Sequence, residues 1–176
     1  MADIRSRLVA EIPRLRRYAR TLTRDVTAAD DLVQDCLTRA LSKSHLWQEG
    51  TDLRAWLFTI LHNQYVNEVR RSVREGAAVA LSDAEPMIIA PNQEKRLEVQ
   101  DFERALAKLP EEQRSALLLV GMECMRYEEV AAVLNVPVGT IRSRLSRGRE
   151  ALRQLTGKAS ERGEPEFGPR RRVLAA

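Results

Sequence analysis

The sequence predicts an all-α protein built as two small helical domains joined by a flexible linker, and three observations carry that expectation. Apolar residues recur at helical spacing through most of the 176-residue chain, and no stretch shows convincing strand alternation. The periodicity stops between Gly76 and Asn92, where Pro86 and Pro91 rule against a continuous helix. From Tyr127 to Leu155 the chain reads as helix, turn, helix, and the second of these helices is strongly cationic. Domains are therefore expected at residues 1–75 and 93–157, with a linker at 76–92 and a disordered basic tail at 158–176.

The first helix takes its inner stripe from Leu8, Ile12, Leu15, Ala19 and Leu22, and its pattern fades near Asp25. Thr27 is placed to cap a second helix, whose buried side is read as Leu32, Cys36, Leu37, Ala40 and Leu41. The other side gathers Asp30, Asp31, Gln34 and Asp35, either a solvated face or a docking face for a basic partner. A loop from Ser42 to Thr51, with Gly50 near its end, leads to a third helix capped by Thr51 or Asp52. Leu53, Trp56, Leu57, Ile60, Leu61 and Val69 are its apolar contacts. Arg54, His62, Asn63, Asn67, Arg70, Arg71 and Arg74 bring hydrogen-bond donors to the remaining surface. Donors among aromatics suit melted nucleic acid, although Trp56 taken alone reads as core and His62 taken alone as a surface histidine.

After the linker, a helix from about Gln93 to Leu109 offers Leu97, Phe102, Ala105, Leu106 and Leu109 inward. Pro110 opens another, PEEQRSALLLVGM, acidic in its first turn and apolar afterwards. Glu128 and Glu129 begin the next helix, to which Val130, Ala131 and Leu134 give apolar contacts. Asn135 suits the left-handed backbone that ends it. Pro137 permits a new start, and Thr140 is able to serve the free amides of the first turn. Ile141, Leu145, Gly148, Leu152 and Leu155 form one inward stripe, with Gly148 allowing close helix approach. Arg142, Ser143, Ser146 and Arg147 then face outward, and small Gly139 lets a groove come near. Between Gly139 and Leu155 there are five arginines and one acid, Glu150, which is the footprint of a duplex-binding helix rather than of a merely solvated one.

Composition narrows the function class. The formal charge of +4, from 29 basic and 25 acidic residues, is modest, so the cationic character is local. The two cysteines, Cys36 and Cys124, fall in helical patterns without nearby His or Cys ligands and read as reduced core residues of a cytoplasmic protein. No apolar run approaches the roughly 20 residues of a membrane span, and the N-terminus carries no hydrophobic signal core. An enzyme finds little support: there is no phosphate loop, metal spacing or triad-like set, and no cofactor is expected.

DDLVQDCLTRAL (Asp30 to Leu41), LRAWLFTILHNQYVNEVRR (Leu53 to Arg71), LAKLPEEQRSALLLV (Leu106 to Val120) and the helix-turn-helix, in that order, resemble an extracytoplasmic-function (ECF) sigma factor of bacterial RNA polymerase. EGTDLRAWLFTILHN and DFERALAKLP are also similar to the alphaproteobacterial general-stress group. The resemblance implies a non-catalytic specificity subunit. Residues 1–75 correspond to sigma region 2 and residues 93–157 to region 4, with the linker passing through the polymerase RNA exit path. Asp31, Gln34 and Asp35 would dock on the beta-prime clamp helices, and the polymerase beta flap is a further implied partner. His62, Asn63, Asn67 and Arg70 would engage the minus-ten element of promoter DNA. The Trp47 to Thr51 loop, with Gln48 and Gly50, would receive a flipped base. Thr140, Arg142, Ser143, Arg144, Ser146 and Arg147 would meet the minus-thirty-five element, Arg144 and Arg149 on phosphate or in internal salt bridges. A cognate anti-sigma factor is implied as well. The alternatives are a stand-alone helix-turn-helix regulator, which leaves the acidic second helix and the Trp56 helix without a role, and a sigma-mimicking protein, which has no need of the arginines.

Overall fold

The computed structural model describes residues 4–48, 50–76 and 93–157, and their side chains except at 93–98. The expected linker, beyond Gly76, and the expected tail, beyond Gly157, lie outside the described residues. Among the described residues seven α-helices follow one another: α1 Ile4–Thr23, α2 Val26–Ser42, α3 Leu53–Arg74, α4 Gln93–Lys108, α5 Glu111–Leu117, α6 Tyr127–Leu134 and α7 Val138–Leu155. Ser44–Leu46 form a 3-10 turn and Leu118–Met122 a π-helical turn, and the described residues contain no strand, so the all-α expectation holds. The described residues divide into two compact units, one holding α1 to α3 together with Ala131–Val136, the other holding α4, α5 and α7.

In the first unit α1, α2 and α3 bury Leu8, Leu15, Ala19 and Leu22 against Leu32, Cys36, Leu57 and Leu61. Tyr18 was not on the expected stripe, yet it is fully buried: its ring lies 5.3 Å from that of Phe58 and its hydroxyl 3.2 Å from His62 Nδ1. Two buried aromatics thereby fix α1 to α3. The cap of α2 is Asp25, not Thr27. Arg24 turns left-handed at φ 59°, which sets Asp25 in extended backbone where its Oδ1 accepts from the Ala28 amide at 2.6 Å. Starting there, α2 buries Ala29 and Val33 beside Leu32, Cys36 and Ala40, and leaves Leu37 half-buried and Leu41 exposed, contrary to the expected stripe. Asp52 rather than Thr51 caps α3, accepting from the Arg54 and Ala55 amides.

In the second unit α5 packs on α7. Ala105, Leu106, Leu109, Ala116, Leu119, Ile141 and Leu145 are buried, while Phe102, expected inward, is exposed. Gly148 is buried, and a β-carbon there would come within 2.7 Å of Leu117 Cδ1, so the close approach expected of this glycine is present. Leu152 is half-buried and Leu155 exposed, so the stripe loosens in the last turn. Cys124 departs from its expected place in a helical core. It follows the π turn in left-handed backbone at φ 52° and is exposed, and the reversal turns Met125 inward instead. Asn135, also at φ 52°, ends α6 as its residue type suggests.

Candidate nucleic-acid interface

The phase of α3 is set by its Asp52 cap and by Leu53, Leu57, Leu61 and Tyr65, all buried. Trp56, Asn63, Asn67, Arg70 and Arg74 consequently fall along one opposite line, spaced by seven, four, three and four residues. Trp56 is half-buried and the other four are exposed. His62 does not join them. It is 7% exposed and turned toward Tyr18, so the surface donor expected at this position is a buried group that ties helices together. Its neighbour Asn63 carries the exposed amide.

The loop before α3 is shaped by the Thr51 amide and hydroxyl, which both donate to the Gln48 carbonyl at 3.1 and 2.7 Å, and by Gly50 at φ 98°. That φ is strained for any residue with a β-carbon. Trp47 is half-buried because the Arg7 guanidinium lies over its ring, 4.7 Å from the centroid. Such a contact contributes about 0.5–2 kcal/mol and orders the loop against α1. Sequence reasoning missed Arg7, whose distance along the chain from Trp47 gives no signal. Beside it opens a pocket lined by Arg7, Glu11, Thr51, Asp52 and Arg54, a mixture of donors and acceptors.

On α2 the acidic group separates into two parts. Asp30 is half-buried and paired to α1, with Arg16 at 3.3 Å and Arg20 at 3.8 Å. Asp31, Gln34 and Asp35 are exposed. Glu68 of α3 joins them: partial burial pushes its carboxyl above the ordinary range, the nearby Asp35 and Asp31 push it further, and Arg71 opposes both. Mutual repulsion of three carboxylates creates a potential that a cationic partner surface relieves. Glu68 escaped the sequence reading because it lies on another helix.

On α7 Gly139, Arg142, Ser146 and Arg147 are exposed, while Thr140, Ser143, Arg144 and Arg149 are half-buried. Nothing lies within 4 Å of where a β-carbon on Gly139 would stand, so this end of the helix is open to a large partner. Thr140 does not cap the helix. Pro137 occupies the cap position without a side-chain hydrogen bond, and the Thr140 carbonyl instead accepts from the Ser143 hydroxyl at 2.9 Å. Arg144 turns back to α5, where its Nη2 is 2.8 Å from Glu112 Oε2. A dense arginine helix with an open N-terminal end has the charge and shape for a duplex groove. No helix among the described residues is long and apolar enough to cross a membrane.

Residues 8–62 match the family model for the Sigma2 domain of PhyR, and residues 100–152 match that for Sigma-70, region 4. The chain is 41% identical over 167 residues to the ECF RNA polymerase sigma factor EcfG of Rhodopseudomonas palustris, covering 95% of this chain and 91% of that protein. The chain belongs to the ECF sigma factor family. As an ECF sigma factor it directs RNA polymerase in transcription initiation. It is also 35% identical to the ECF sigma factor SigE of Mycolicibacterium smegmatis over 84% of this chain and 59% of that one. Among solved structures, the sigma factor RpoE from Bartonella quintana, in complex with the anti-sigma factor NepR, is similar with a TM-score of 0.78 and 36% identity, covering 91% of this ECF sigma factor and 100% of that chain. The first matched span runs from α1 through the loop to His62 and includes Asp31, Gln34, Asp35, Trp47 and Trp56 but stops before Asn63, Asn67 and Arg70, and the second runs from α4 into α7 and includes Arg142 to Arg149.

Proposed function

We propose that this ECF sigma factor acts as a dissociable, non-catalytic specificity subunit in which each face has its own partner. Residues 1–75 form the region 2 domain, 76–92 the linker and 93–157 the region 4 domain. Asp31, Gln34 and Asp35, reinforced by Glu68, dock on the beta-prime clamp helices, where an acidic patch meets cationic residues. Trp56, Asn63, Asn67 and Arg70 engage the minus-ten element, and Trp47, Gln48 and Gly50 shape the loop that receives a flipped base. Extruding that base costs a few kcal/mol, which stacking and hydrogen bonds in the loop recover only for the right sequence. Arg142, Ser143, Ser146 and Arg147 read the minus-thirty-five element, with Thr140 beside them. His62 positions α3 through Tyr18 instead of touching DNA.

The observation that carries this reading is the segregation of chemistry by helix: exposed carboxylates on α2, exposed amides and arginines on α3, exposed arginines on α7. A stand-alone regulator has no use for the first two. A cognate anti-sigma factor is part of the proposal, since the similar RpoE was crystallised with NepR, and so is a role in a stress response. A sigma-mimicking role is the second reading, favoured by the match of residues 8–62 to the PhyR model. In vitro transcription with purified core enzyme on a pool of promoter variants separates them. Initiation confined to templates carrying both elements is expected; no initiation, with anti-sigma binding intact, assigns the mimic, and tight binding to a palindromic site without polymerase assigns the stand-alone regulator.

A further inference from the structure

The recognition helix carries an arginine that is held by its own protein. Arg144 Nη2 and Glu112 Oε2 stand 2.8 Å apart, the spacing of a charge-assisted hydrogen bond between α7 and the first turn of α5. The Arg144 side chain is 17% exposed and that of Glu112 65%, so the guanidinium is folded down along the seam while the carboxylate faces solvent. Arg144 lies four residues before the buried Gly148, on the flank of α7, whereas Arg142 and Arg147 are exposed. Of these three arginines, Arg144 is the one joined to an acid across helices.

Resting on the reading of α7 as the minus-thirty-five reader, we infer that Glu112 limits the sequence-independent affinity of α7 for DNA: it withholds Arg144 from the DNA backbone. A carboxylate and a phosphate compete for the same guanidinium fork. An arginine on phosphate adds affinity on every sequence alike, whereas arginines on base edges discriminate. While Glu112 occupies Arg144, the helix meets DNA with fewer sequence-blind contacts, and the exposed carboxylate repels phosphates that approach the seam. Discrimination rests on Arg142 and Arg147.

The test uses holoenzyme reconstituted from core polymerase and the full chain, wild type or Glu112→Gln, which keeps the side-chain size and removes the charge. Binding to promoter duplex and to duplex lacking the upstream element is followed from about 50 to 200 mM salt, over which each added phosphate contact steepens the log–log slope by about 0.9. Glu112→Gln is expected to steepen the slope on both duplexes by about one contact. It should also raise affinity for both duplexes by about three- to tenfold at the low-salt end and leave the ratio between them unchanged. Adding Arg144→Ala should return the slope to the wild-type value. An unchanged slope in Glu112→Gln, or a steeper slope that survives Arg144→Ala, overturns the inference. Arg147→Ala, measured in parallel, separates the two levels: if it leaves upstream recognition intact the reading of α7 fails, and if only the slopes fail to move the role of Glu112 fails alone.

Discussion

Replacing Gly148 with alanine sets two calculable effects against each other. On an open helix the exchange stabilises by about 1 kcal/mol, because alanine loses less backbone entropy. Here the added methyl meets Leu117 Cδ1 at 2.7 Å, Leu117 Cγ at 3.3 Å and Gln113 Cβ at 3.4 Å. The leucine tip must retreat about 0.7 Å to reach ordinary contact, and the other two atoms lie close to the α5 backbone, which makes them slow to yield. Overpacking of this kind costs about 1–3 kcal/mol, so Gly148→Ala should destabilise the α5–α7 seam by about 1 kcal/mol net. Gly148→Val, branched at its β-carbon, should cost about 3 kcal/mol. Both tryptophans, Trp47 and Trp56, lie in the first unit, so their fluorescence does not follow this seam. Amide exchange of Ile141 and Leu145, both buried on α7, does. If Gly148→Ala instead raises their protection by the full helix-propensity gain, the close-approach argument is refuted. A second check is Leu117→Ala combined with Gly148→Ala, which should show a favourable coupling of about 1–2 kcal/mol.

The remaining predictions concern surfaces and thiols. Arg147→Ala should weaken recognition of the upstream element by about 1–3 kcal/mol while leaving core binding unchanged, read by promoter titration and core pull-down; equal loss of both counts against its role. Asp31→Ala with Gln34→Ala should lower core affinity about tenfold and flatten its salt dependence, and unchanged transcription removes that surface from the reading. Burial pushes the Cys36 thiol from an ordinary 9.0 up to about 12, against the opposing charge of Arg39. A raised folded-state value favours the protonated thiol, so this contribution is fully present below pH 9 and is lost as pH rises towards 12, by about 1.4 kcal/mol per unit. In the native protein a thiol reagent should label exposed Cys124 quickly and Cys36 only on unfolding, and rapid labelling of both would contradict the burial.

The sequence by itself determined the all-α class, the position of the α helices and the chemistry of each outward face. Those are local properties: apolar spacing, turn residues and charge are written along one helix at a time. Asn135 in left-handed backbone and the tight seat at Gly148 were legible for the same reason, since few other residue types serve there. Errors gathered where a helix start or a reversal changed the phase. Moving the α2 cap from Thr27 to Asp25 went with an inner stripe of Ala29 and Val33 and an exposed Leu41, and the left-handed Cys124 gave its inward place to Met125. Only the tertiary structure decided which partners meet across helices. His62 went inward because Tyr18 waits for it on α1, Arg7 reached the site through the Trp47 ring, and Glu68 joined the α2 acids from α3. Arg144 was drawn to Glu112 across the α5–α7 seam, away from the exposed Arg142 and Arg147. A side chain's periodicity fixes the direction it leaves its own helix, and the packing of the next helix fixes what it finds there.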